Sequence, residues 1–161
     1  MKNVIYRYVV MLVAGVLLAP TGALAVDRYG HQKVVYHINY DDPKMQVAAL
    51  RNIQNHINAV GAENLELKVV LHGNGLALLV YPDSLAKLNK FKHANATDEM
   101  TARIDGLKSQ GVSFQICGNT VKGRNVDLAT DLYDADAADV VPSGVAELTY
   151  LQSQGYTYIK P

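Results

Sequence analysis

The chain has 161 residues, with 15 basic and 15 acidic side chains, a single cysteine and no tryptophan. A balanced charge gives no electrostatic case for nucleic acid, one cysteine cannot close a disulfide within the chain, and the length suits one domain that buries its core without covalent staples. The chain opens with Lys2 and Arg7, runs through an apolar stretch from Tyr8 to Ala19, and reaches Pro20, Gly22 and Ala23-Leu24-Ala25. This is the charged, apolar and small-residue plan of a secretory signal. The apolar run is about a dozen residues long, short of the roughly 20 that span a membrane. Residues 1–25 are therefore expected to be a signal peptide cleaved after Ala25, leaving a single periplasmic domain over residues 26–161 with no membrane attachment. Cleavage removes two bases and no acid and leaves a net charge of −2.

Lys33–Asn39 is rich in β-branched and aromatic residues and ends at Asp41-Asp42-Pro43, which predicts a first strand and then a helix opening at Pro43. Val47, Leu50, Ile53, Ile57 and Val60 recur at spacings of three and four, one buried helical stripe that Gly61 terminates. Leu65–His72 reads as a second strand. Its near-continuous apolar run implies burial on both faces and hence a parallel sheet. Leu76–Val80 fits strand or helix, and a short helix is expected over Ser84–Lys92. Asn95 with Asp98 resembles a cap for a helix carrying Met100, Ile104 and Leu107 and ending at Gly111. Val112–Ile116 is the third strand, Val126–Tyr133 a short helix and Asp139–Val141 a short fourth strand. Pro142-Ser143-Gly144 leads into a helix with Val145, Leu148 and Leu151, and Tyr156–Ile159 makes the last strand. Strands alternating with helices predict an α/β fold.

Several motifs fall short of a function. Gly118 to Asn125 has the two glycines of a phosphate loop, but Arg124 and Asn125 stand where Lys and Ser or Thr belong. Gly73-Asn74-Gly75 lacks the third glycine of a dinucleotide fingerprint, Leu78 taking its place. Asp127, Asp131, Asp134, Asp136 and Asp139 do not fit a calcium loop and read as a solvated acidic face. The histidines 31, 37, 56, 72 and 93 show no metal-binding pair, so neither metal nor cofactor is expected. A carrier using His72 and Cys117 as two metal ligands remains an alternative. Asn95-Ala96-Thr97 is taken as a chance sequon.

Cys117 remains. Chemistry in an open parallel sheet gathers at the carboxyl ends of the strands, where this residue lies. Gly118 permits close approach to the backbone, exposed amide groups after the strand favour a thiolate, and Lys122 and Arg124 add positive charge.

The segments Val34–Ile38, Val69–Gly75, Phe114–Asn119, Val141–Leu148 and Gly155–Pro161, in this order and spacing, resemble the DsrE/DsrF-like family of sulfur-relay proteins. The resemblance implies a three-layer α/β/α sandwich on a five-stranded parallel sheet of order 2-1-3-4-5, assembled into trimers or hexamers. It also implies that Cys117 carries sulfane sulfur as a persulfide, making the protein a sulfurtransferase or sulfur carrier that works with a donor or acceptor protein. Asn39, His72, Gly73, Gly118, Asn119, Lys122 and Arg124 are the candidates for the surrounding pocket. The alternative is a non-catalytic ligand-binding or scaffold module of the same fold in which Cys117 is structural.

Overall fold

A computed structural model describes residues 28–88 and 90–161; the expected signal segment lies outside them. Strand β1 (Gln32–Ile38) leads through helix α1 (Pro43–Val60) to β2 (Leu65–Leu71), and two 3-10 turns (Gly73–Leu78 and Pro82–Lys87) precede α2 (Asp98–Lys108). Then follow β3 (Ser113–Cys117), α3 (Gly118–Arg124), α4 (Leu128–Asp131), β4 (Val140–Val141), α5 (Gly144–Ser153) and β5 (Thr157–Ile159).

The helix starts are set by short polar side chains. Asp42 accepts from the Met45 amide ahead of α1, Thr97 from Met100 ahead of α2, and Ser143 from Ala146 ahead of α5, each satisfying a backbone donor that the first turn leaves open. Thr97, rather than Asn95, caps α2. Asn95 is 5% exposed and donates its amide to Asp41 O at 2.9 Å and Gln46 Oε1 at 2.7 Å. Gln46 donates in turn to Tyr40 O at 2.7 Å and Gly75 O at 3.3 Å. This buried polar clasp ties α1 to the ends of β1 and β2, and it takes up the side chain of the sequon. Leu76–Val80 is neither strand nor α-helix: it forms a 3-10 turn and then one isolated antiparallel bridge from Val80 to Leu132.

The five strands are parallel in the order β4-β3-β2-β1-β5, which corrects the expected 2-1-3-4-5. The reason lies in β2. Val69, Val70 and Leu71 are wholly buried, so β2 needs cover on both faces and a neighbour on each edge. It obtains these at the sheet centre between β1 and β3, whereas the expected order leaves it at an edge. The two-residue β4 and the three-residue, largely exposed β5 take the edges instead, where short strands present little unpaired backbone.

Side chains alternate across the sheet. Val34, Tyr36, Ile38, Leu67, Val69, Leu71, Phe114 and Ile116 share one core with the buried stripes of α1 and α2. On the opposite face a much smaller cluster joins Val35 and Val70 to Leu148 and Leu151 of α5 and to Tyr156. The chain is thus a three-layer sandwich with one thick side and one thin side.

Candidate functional site

The connections from β3 and β4 part company. After β3 the chain turns into α3, whose Val121 packs on the large core, and after β4 it turns into α5 on the opposite face. Adjacent strands whose connections diverge leave a crevice between their carboxyl ends. Cys117, the last residue of β3, occupies it, with Cys117 paired to Val141 of β4 in register.

Cys117 is 2% exposed, yet the groups around its sulfur are polar. Burial pushes the thiol pKa up. The amide of Gly144 at the start of α5, the hydroxyl and amide of Thr120 and the amide of Asn119 outweigh it, and the thiol falls below its ordinary range. Cys117 makes no capping bond of ordinary geometry to α3; the donors act on the negative charge of the thiolate, the form that accepts strongly. Thr120 Oγ1 accepts from the Gly73 amide at 2.9 Å, which leaves its own proton free to donate to the sulfur. Gly73, at φ +57°, is held in the left-handed region that favours glycine.

Gly144 makes this approach sterically allowed. A Cβ there would lie 3.1 Å from Cys117 Cβ, 3.2 Å from His72 Cβ and 3.4 Å from Val70 Cγ1. Gly118 is similarly confined by β4, its Cβ position lying 3.1 Å from Val141 O. Sequence reasoning singled out Gly118 and passed over Gly144. The available signal was a glycine, a poor helix former, directly after the capping Ser143.

On the thin face the site extends sideways. His72 follows β2 one residue beyond the Leu71–Ile116 pair, which makes it the lateral neighbour of Cys117. The His37 ring lies 5.7 Å from that of His72, and His37 Nδ1 meets the Tyr158 hydroxyl at 2.9 Å. His37 Nε2 and His72 Nδ1 are buried with no hydrogen-bond partner. Burial, with the neighbouring His72 and Lys160, lowers the His37 pKa to about 4 and keeps the ring neutral. Sequence reasoning missed both His37 and Tyr158. A strict two-residue reading of β1 exposes His37, which shares its face with Val35.

The other candidates are placed differently. Asn119 is exposed and offers its backbone amide. Asn39 is half-buried where β1 leaves the sheet, beneath Gly75, whose Cβ position lies 1.8 Å from Ile38 O; this contact accounts for Gly75. Lys122 is exposed. Arg124 donates to Asn74 Oδ1 at 2.5 Å and Lys90 O at 2.8 Å and lies 4.2 Å over the Phe91 ring, so its charge serves the loop beside the crevice. Gly118–Arg124 is helical, a form without the open cradle of a phosphate loop. The acidic residues are spent on capping and ion pairs: Asp127 and Asp136 cap the turns that follow them, Asp131 meets Lys87 at 2.5 Å, and Asp134 meets Lys108 at 2.6 Å. Among the described residues no cluster of three metal-ligating side chains forms, and no helix is long and apolar enough to cross a membrane.

A groove of about 630 Å³ flanked by Tyr81, Thr97, Thr101 and Tyr133 does not include Cys117. Thr97 caps α2 and the Tyr133 hydroxyl is bonded to Asp105, so these polar groups are already engaged by the protein. The chemistry points to the crevice. A search of curated proteins returns no match. The family model described as the DsrE/DsrF-like family matches residues 33–161, which spans every strand, both faces and the crevice, and the chain belongs to that family.

Proposed function

We propose that the protein is a periplasmic sulfur-relay protein that binds or transfers sulfane sulfur as a persulfide on Cys117. One observation carries this reading: three backbone amides and one hydroxyl act on a single thiol and lower its pKa against the effect of its burial. Family membership supports the relay, and the three-part pattern of residues 1–25 supports export. In the carrier step the Cys117 thiolate attacks the outer sulfur of a donor hydropersulfide, R–S–SH. The Cys117 S–S bond forms as the donor S–S bond breaks, and the donor leaves as a thiolate that takes up a proton. The reverse exchange passes the sulfur to a partner thiol. The protein works with a donor or acceptor protein and as a trimer or hexamer. Exposed Val145, Tyr150 and Tyr158 on the thin face support assembly.

Intact-mass measurement after incubation with polysulfide or thiosulfate tests the reading. A gain of one sulfur atom that disappears in Cys117→Ser is expected; no gain, or the same gain in Cys117→Ser, overturns it. The low exposure of Cys117 favours a second reading, a binding or scaffold module in which the thiol is structural. Alkylation near neutral pH separates them, fast for a carrier and slow for a packed thiol.

A further inference from the structure

A thiol buried as deeply as Cys117 needs somewhere to put its proton when it ionises. On the thin face, Tyr158, His37, His72 and Cys117 form a staggered line across β5, β1, the end of β2 and β3: Tyr158 stands opposite Val35, His37 opposite Val70, and His72 one residue beyond the Leu71–Ile116 pair, level with Cys117. The line runs from a tyrosine 39% exposed to a cysteine 2% exposed. Its first link is the 2.9 Å bond between Tyr158 and His37 Nδ1, and its second the two imidazole rings 5.7 Å apart. His37 is 8% exposed with Nε2 unpartnered, and His72 Nδ1 is also buried without a partner. Buried polar nitrogens in folded proteins ordinarily find partners; His72 Nδ1, on the residue beside Cys117, has none.

We propose that His72 accepts the proton of the Cys117 thiol and returns it to the departing donor thiolate, and that His37 and Tyr158 are positioning residues that orient the His72 ring. The inference rests on Cys117 being the sulfur carrier. Cys117–SH passes H⁺ to His72, the thiolate takes the outer sulfur of R–S–SH, and His72 gives the proton to R–S⁻ as it leaves. Atoms and electrons balance without an oxidant or reductant. His37 does not compete for the proton, because its ring is held neutral down to about pH 4. The Tyr158 hydroxyl fixes His37 Nδ1, so Nε2 is the nitrogen left to face inward.

The charged and titratable groups around the pair are few. His37 lies on β1, Tyr158 on β5 with Lys160 just beyond it, and Lys122 and Arg124 on α3. Glu147 on α5 accepts from the Gln115 amide at 3.0 Å. Arg124 is held by Asn74 and Lys90, whereas the Cβ atoms of His72 and Cys117 both border Gly144, 3.2 and 3.1 Å from the position a Cβ there would take, which sets a titratable side chain beside Cys117.

The test is the rate of Cys117 alkylation by iodoacetamide from about pH 5 to about pH 10. His72→Gln is expected to move the midpoint of the profile up by about one unit, slowing the reaction near neutral pH about tenfold. His37→Gln and Tyr158→Phe should move it the same way by about two- to threefold. Circular dichroism checks the fold of each variant, and His72→Asn replaces His72→Gln if the latter unfolds. A His72 variant that is folded and within twofold of the parent at every pH overturns the inference; unchanged profiles for both other variants overturn the positioning roles. Sulfur loading is read separately by mass. Loading with unshifted profiles sinks the proton route and leaves the carrier; shifted profiles without loading sink the carrier and leave His72 coupled to the thiol.

Discussion

The two faces of the sheet solve different problems with the same strands. On the thick face, alternate residues of β1, β2 and β3 are apolar and meet two long helices, and a buried amide clasp between Gln46 and Asn95 locks the joint. On the thin face the same strands begin apolar, with Val35 and Val70, and end in His37, His72 and Cys117 beneath one ten-residue helix. The contrast separates stability from chemistry: the first face holds the fold, so the second can keep ionisable groups and unpartnered nitrogens that a fully apolar core would not tolerate.

The sharpest way to break this contrast is Gly75→Ala. Its Cβ would collide with the Ile38 carbonyl, a backbone atom that cannot swing away, and a loss of about 4 kcal/mol or more is expected. Urea denaturation measures it, and wild-type stability would remove the steric account. Ile53→Ala, in the middle of α1 and fully buried, should cost about 3 kcal/mol by lost packing and the cavity left behind while leaving the midpoint of Cys117 alkylation in place. A shift in that midpoint would show that the faces are not independent. Gly144→Ala is expected to do the reverse, with a stability cost of about 1 to 2 kcal/mol for overpacking and a midpoint that rises, because the start of α5 is pushed off the sulfur. Thr120→Val removes the side-chain donor to Cys117 and the acceptor of the Gly73 amide. About 1 kcal/mol of stability should be lost and the midpoint should rise, by less than in Gly144→Ala; a change in stability alone would mean that the hydroxyl does not reach the thiolate.

Acid supplies the mildest probe. His37 titrates at about 4 in the folded chain against 6.5 for an ordinary histidine, so between these values the unfolded chain binds more protons. Stability should therefore fall as the pH drops from about 6.5 towards 4, and the contribution of His37 should be flat above that window. Unfolding midpoints across this range should slope less in His37→Gln. An equal slope in both proteins would mean that the ring is not held neutral by the fold.

Much of the architecture was readable because it is written in local spacing. The three-and-four stripe of α1, the both-face burial of β2 and the Pro142-Ser143-Gly144 lead into α5 each predict an element that forms. Strand order was not readable in this way, since no residue pattern states which edge the last crossover reaches; the deep burial of Val69 to Leu71 becomes a constraint on order only when the neighbours are known. At the candidate site, Cys117, Gly73, Gly118, Asn119 and His72 were singled out from their place at or after the ends of strands, and each lies at the carboxyl end of β2 or β3. Arg124 looked like a charge for the thiolate because sequence proximity says nothing of direction, and its side chain turns to Asn74 and Phe91. His37 and Tyr158 stand 121 positions apart in the chain, a separation that local reading does not bridge.

With one sulfhydryl tucked under the first turn of α5, the molecule carries a built-in gauge of its own breathing. Labelling reagents of graded bulk should sort by size, a small iodoacetamide entering on slight excursions and a polymer-linked maleimide only when that turn lifts, so their rate ratio reads local opening. The same sieve would act on natural reactants: peroxide should reach the sulfur on slight excursions, whereas a donor protein's hydropersulfide should load it only when that turn lifts.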